Sequence, residues 1–211
     1  MRIFFRFCFV AVLGISTLTA AIAEDQERGY VGLELGYGWA DVKAKETAQA
    51  LANATGNTVT YSYDTAALTG RISAGYWVAD QVALEVGYFS VADLQARYSG
   101  TYSGTSWSAN ETYNATGFDL AGVFKPSGSD FFLKAGVHSS SVDGYGSFSI
   151  AGLSVSTAAT YSGTGWLVGG GYEWNMSDSS SVIGSYTYYD SLGGLSTGDL
   201  GFLSVGYRFK Y

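Results

Sequence analysis

Proline occurs once in 211 residues, cysteine once and histidine once, and only 14% of the chain is charged. Each scarcity excludes something. The one cysteine, Cys8, lies in the N-terminal stretch, so neither a disulfide framework nor thiol chemistry is expected in the rest of the chain. It is also too early, with Phe-Arg-Phe before it, to be a lipid-attachment cysteine. With His138 as the only histidine, no His/Cys cluster for a transition metal exists, and no spaced carboxylate loop suggests Ca²⁺. No cofactor is expected. A soluble domain usually carries about a quarter charged residues, so this chain is short of water-facing charge. Acidic residues outnumber basic ones 18 to 11, the wrong sign for a nucleic-acid partner. After Ala23 no apolar run approaches the roughly 20 residues of a membrane helix.

Aromatics (16%) and glycine (29 residues) are abundant instead. At the N-terminus, Arg2 and Arg6 precede an apolar stretch from Phe7 towards Ala20, and Ala21-Ile22-Ala23 fits a small-x-small cleavage site. Residues 1–23 therefore read as a cleavable signal peptide and 24–211 as one secreted domain. Loss of Arg2 and Arg6 leaves nine basic residues against the 18 acidic ones.

The secreted part alternates with a period of two. Val31, Leu33, Leu35, Tyr37 and Trp39 are large and apolar, whereas Gly32, Glu34, Gly36 and Gly38 between them are small or charged. One face suits hydrocarbon, and the other suits the crowded interior of a narrow barrel. The pattern repeats. Leu33-Glu34-Leu35-Gly36-Tyr37 is echoed at Leu84–Tyr88, Leu133–Val137 and, more weakly, Val182–Tyr186, with starts 51, 49 and 49 residues apart. Each period accommodates one strand up and one strand down. Returning strands are expected at Leu68–Trp77, Thr116–Lys125, Trp166–Trp174 and Phe202–Tyr211. Four periods predict an all-β fold: an eight-stranded antiparallel transmembrane up-and-down β-barrel.

Connections alternate in length. Short turns fall near Val78–Gln81, Pro126–Asp130 and Asn175–Asp178. Long connections run over Asp41–Ala66, Ser90–Asn114, Ser139–Thr164 and Asp190–Asp199. Short periplasmic turns with long outside loops are the outer-membrane arrangement, and an even strand count puts both termini in the periplasm. Tyr37, Trp39, Tyr76, Trp77, Tyr88, Trp166, Trp174 and Tyr188 are expected to form the interfacial girdles. Within the first long connection, Lys43–Leu51 is rich in helix formers and predicts a short loop helix. The second and third are rich in Ser, Thr, Gly and Tyr, a composition suited to binding, with alternation that predicts strands extending beyond the membrane in places.

The last eight residues, Ser204-Val205-Gly206-Tyr207-Arg208-Phe209-Lys210-Tyr211, resemble the assembly signal of bacterial outer-membrane barrels, with Ser204, Gly206, Phe209 and Tyr211 at its key positions. Gly70–Trp77 and Val82–Tyr88 are very like the second and third strands of the small OmpA-like, OmpX-like and opacity-type barrel family. The resemblance covers the barrel alone. Because the chain stops at the assembly signal, that family's peptidoglycan-binding domain is not expected. It implies residence in a Gram-negative outer membrane among lipid and lipopolysaccharide, and contact with the barrel assembly machinery through the C-terminal strand. It also implies a structural or surface-interaction role, in envelope integrity or adhesion to a host or surface ligand through the loops. The alternative is a narrow ion-conducting pore or a lipid-modifying enzyme. The strand at Val182–Tyr186 departs from the pattern, with Ile183 and Ser185 where the family often places inward charges.

By register, Glu34, Glu85, Asp119 and Glu173 point into the lumen with Arg71, Lys134, Arg208 and Lys210. An isolated charge there costs several kcal/mol on the order expected for burial, so these eight predict a structural charge network. His138-x-Ser140 is similar to the His-x-Ser pair of outer-membrane lipid A deacylases. However, Val137 faces lipid in this register, which turns His138 and Ser140 inward, away from a lipid substrate. Glu173 sits near the other end of the barrel, and acid, base and nucleophile must meet within hydrogen-bond reach. No catalytic residue is assigned, and a non-enzymatic protein is expected.

Overall fold

Alternating apolar and small residues make strands whose two faces differ, and such strands bury their small face by curling into a ring. The structure, a computed structural model, describes residues 28–40, 44–196 and 198–211. The expected signal peptide lies outside the described residues, as does Lys43 of the expected loop helix. The elements are β1 (Gly29–Ala40), α1 (Ala44–Thr55), β2 (Val59–Tyr63), β3 (Ala67–Ala79), β4 (Val82–Tyr102), β5 (Thr105–Phe124), β6 (Phe131–Ile150), β7 (Leu153–Ser177), β8 (Ser180–Tyr189) and β9 (Leu200–Lys210).

Eight strands close an antiparallel ring in the order β1-β3-β4-β5-β6-β7-β8-β9, with β9 pairing back onto β1. Tyr211 completes the seam by exchanging backbone hydrogen bonds with Gly29. The ninth strand, β2, runs in line with β3 along the outer half of β4. Their junction lies opposite a bulge between Val91 and Leu94, where Asp64 donates its N–H to the Gln95 carbonyl and accepts the Gln95 N–H on its carboxylate. The extra residue switches which residues of β4 face inward, from Glu85, Phe89 and Val91 to Leu94, Ala96 and Tyr98.

Two of the expected long loops are strands. Ser90–Asn114 and Ser139–Thr164 form the outer halves of hairpins β4–β5 and β6–β7, closed by two-residue turns at Ser103-Gly104 and Ala151-Gly152. All four turn residues have positive φ, from 49° to 81°, which matches the twist of tight hairpins. Composition misleads there because Ser, Thr and Gly read as loop although every second residue still faces a sheet. Trp77 is also misplaced among the girdle residues. It shares the inward parity of Arg71, Ser73 and Gly75, and packs half-buried against Tyr30 with ring centroids 6.2 Å apart.

Along the lower wall the outward side chains are apolar, with Leu33, Leu35 and Tyr37 each more than half exposed. Higher up, beyond Tyr88, Phe118, Val137 and Trp166, the outward positions become Gln95, Arg97, Asn110, Thr112, Asn114, Ser139, Ser141, Ser162 and Thr164. That switch marks where hydrocarbon gives way to water. Above it, β2, β4, β5, β6 and β7 continue as a five-stranded sheet. α1 packs on its inner face, placing Ala44 and Ala48 over Ala96, Tyr98 and Trp107. Tyr98 donates to Glu111 at 3.3 Å. Burial, and then the Glu111 charge, push this hydroxyl from 10.0 up to about 12. Its contribution to seating α1 is therefore full below pH 10 and lost as pH rises through about 12.

Candidate functional site

Inward parity converges the charged side chains into two joined nodes. At the first, the Arg71 guanidinium spans three strands. Its Nε and Nη2 donate to the two Asp119 carboxylate oxygens at 2.9 and 2.6 Å, Nη1 donates to Glu34 at 2.9 Å, and Nη2 also reaches Glu85 at 2.8 Å. The other Glu34 oxygen accepts from Ser185 (2.6 Å) and Ser204 (2.8 Å). The other Glu85 oxygen accepts from the Tyr30 hydroxyl at 2.8 Å, and Tyr189 donates to Asp119 at 3.3 Å. At the second node Glu173 receives Arg208 at 3.1 Å, Lys125 at 3.0 Å, Lys210 at 2.7 Å and the Ser181 hydroxyl at 2.7 Å. Arg208 joins the nodes, lying 3.5 Å from Glu85 with its guanidinium 4.1 Å from the Tyr30 ring centroid.

Seven of the eight luminal residues picked out from the sequence thus meet in ion pairs. Lys134 is buried in the same interior but makes no ion pair within 4 Å among the described residues. Lys125, Tyr30 and Tyr189 were missed. Lys125 follows the inward parity of Asp119, Ala121 and Val123, so extending the register past the end of the strand finds it. The tyrosines carried no charge to attract notice.

Apolar layers lie on either side of the Arg71 node. Below it sit Tyr30, Ala83, Val123, Phe132 and Ile183, and above it Phe89, Leu167, Tyr189, Leu192, Leu200 and Phe202. The upper layer includes the β8–β9 connection, whose short 3-10 turn (Leu192–Gly194) folds inward. Two residues of β6 hold it there. His138 Nε2 lies 2.7 Å from the Asp190 carbonyl, and the Ser140 hydroxyl oxygen accepts the Gly193 N–H at 2.9 Å. His138 and Ser140 are therefore luminal and occupied with this turn, and Glu173 belongs to the node at the other end. Replacing Ser140 with alanine strands the Gly193 N–H in a buried site, at a cost of about 1–3 kcal/mol. We expect faster protease cleavage at Leu192–Gly194 in the folded S140A variant, with the rest of the barrel resistant.

The C-terminal residues have separate positions. Ser204 is buried on Glu34, Gly206 lies against the Leu33 carbonyl, and Phe209 faces outward.

A closed antiparallel ring with an apolar outside and a filled, ion-paired inside defines a membrane β-barrel. The chain belongs to the outer membrane protein beta-barrel domain family, whose profile matches residues 7–209, and such proteins reside in the Gram-negative outer membrane. Among solved structures it is similar to Ail, the attachment invasion locus protein of Yersinia pestis, in a complex with the heparin analogue sucrose octasulfate. That likeness has 11% identity over 87% of this chain and 99% of that one, with a TM-score of 0.45. It is also similar to OprG of Pseudomonas aeruginosa (10% identity, 88% and 98% covered, TM-score 0.47). The outer membrane protease OmpT of Escherichia coli is a further likeness (6% identity, 92% and 100% covered, TM-score 0.41). These resemblances are of fold alone and transfer no activity. No curated protein matches the chain.

Proposed function

We propose that this is a non-catalytic surface-interaction barrel: a structural plug of paired charges in the membrane, carrying a sheet outside it that docks partners by strand addition. In this reading residues 1–23 are a cleaved signal peptide, both termini are periplasmic, and lipopolysaccharide surrounds the barrel. Ser204, Gly206, Phe209 and Tyr211 present the final strand to the assembly machinery.

The observation that carries it is the outer edge of β7. Its pairing with β8 begins only at Leu167, and the β8–β9 turn lies against Tyr161 and Gly163. From Leu153 to Thr160 every residue is exposed, and among the described residues no strand pairs with that edge. Sheet edges usually carry lysine, proline or a bulge that prevents further pairing. This stretch, Leu-Ser-Val-Ser-Thr-Ala-Ala-Thr, has none. Its Leu153 and Val155 form, with Phe148 of β6, an exposed apolar stripe on the inner face, 73%, 68% and 40% exposed. Backbone hydrogen bonds give such a site affinity, and alternate side chains give it preference.

The filled interior supports this over a conducting pore, because charged and apolar layers occupy the lumen in succession. To test the reading, the protein is displayed on a non-adherent Gram-negative host, intact or as Val155→Lys/Thr157→Lys, with folding of both followed by heat-modifiable gel migration. Attachment to cells and coated surfaces is expected for the intact form, and a fall of about tenfold or more for the lysine variant. Equal attachment by both, or background attachment by the intact form, removes the proposal.

A further inference from the structure

α1 leaves a cleft on the side away from β7. The helix seats Ala44, Ala48 and Leu51 on the sheet, which turns its Lys45, Gln49 and Asn53 ridge towards β2. Together with Asn57 and Tyr61 this ridge lines an open cleft of about 510 Å³. Tyr61 pairs across the strands with Tyr98, and Tyr63 with Ala96, so both tyrosines point to the face on which the helix lies. The helix covers Tyr98 and stops short of them. Their rings stay 38% and 43% exposed, 6.3 Å apart and within 17° of parallel.

Two nearly parallel exposed rings beside a row of amides suit one ligand chemistry. A ring face carries partial negative charge and attracts the polarised C–H face of a sugar. A side-chain amide offers two donors and two acceptor positions, as a sugar's hydroxyl rim requires. The amides here have capacity to spare. Gln49 donates to Asn53 at 3.1 Å and Asn57 donates to the Thr55 carbonyl at 2.9 Å. Those bonds hold the amide planes and leave other donors and acceptors for a ligand. Among the described residues lining the cleft, Lys45 is the one ionisable side chain apart from tyrosine, and none of them is a carboxylate that would repel an acidic sugar.

We propose that the α1–β2 cleft binds an oligosaccharide, which stacks on Tyr61 and Tyr63 and is read by Gln49, Asn53 and Asn57. The site is independent of the β7 edge.

The test uses the full chain folded in detergent and checked by heat-modifiable migration. Binding is followed by saturation-transfer NMR with two probe sets: core oligosaccharide released from lipopolysaccharide by mild acid, and defined mammalian-type oligosaccharides. Binding to at least one set is expected. It should fall about tenfold or more in Tyr61→Ala and in Asn53→Ala/Asn57→Ala, and persist in Tyr61→Phe, which keeps the ring. Binding to the core alone assigns the site to the cell's own envelope, and binding to the mammalian type alone assigns it to foreign glycans. No binding in either set, binding unchanged by Tyr61→Ala, or capture of arrayed peptides in place of sugars overturns the proposal.

Discussion

Alanine at position 71 is expected to leave the barrel unable to hold its folded form at urea concentrations the parent survives, with a loss of at least about 3–5 kcal/mol. Arg71 is 2% exposed and is the shared partner of Glu34, Glu85 and Asp119. Its removal leaves three carboxylates facing one another, with Arg208 3.5 Å from Glu85 as the closest remaining ion-pair partner of any of them. The decisive comparison is with a combined variant, Arg71→Met and Lys134→Met with Glu34→Gln, Glu85→Gln and Asp119→Asn, which also removes the buried Lys134 charge. Replacing a whole buried ion cluster by neutral groups of similar size is often nearly neutral, whereas removing one member is costly. Urea titration of the variants refolded in vesicles, followed by heat-modifiable migration, measures both. If R71A is as stable as the parent, the network is not what fills and holds the barrel.

The second large effect concerns the wall. A methyl group built at Gly136 would lie 2.0 Å from the Leu120 carbonyl oxygen, and one at Gly36 would lie 1.9 Å from that of Leu203. Both obstacles are backbone of the neighbouring strand, which can yield only by breaking the ladder. Gly122, also in a strand, meets nothing closer than 3.9 Å. G36A and G136A are therefore expected to lose the folded, heat-modifiable species in refolding trials, and G122A to refold like the parent. Normal refolding of G136A would show that the strands there sit farther apart.

The ring was legible because its signal is redundant. Alternation, a period of about fifty residues and the spacing of short turns each point to the same eight strands, and inward parity alone located Glu34, Arg71, Glu85, Asp119 and Glu173. What was not legible lies above the membrane. There, outward positions change from Leu, Val and Phe to Ser, Thr and Asn, so the contrast between faces that announces a strand weakens while pairing continues. The bulge after Val91 adds a second difficulty, since it inverts parity on β4 and leaves β5 unchanged. Tyr61 gave no sign of lining a cleft, because α1 and β2 are set side by side only once both lie on β4, a strand distant from them in sequence.

The uncharged edge of β7 has a further consequence, which follows from handedness of direction. Antiparallel pairing joins strands that run opposite ways. Copies embedded in one bilayer all send β7 back towards the same surface, so no two of them can offer each other that arrangement. The membrane thereby acts as a polariser, aligning every copy so that this edge, which carries no repulsive group of its own, can meet its like only in the slightly weaker parallel sense. In micelles, where one copy is free to turn over relative to another, the same eight residues lose that protection.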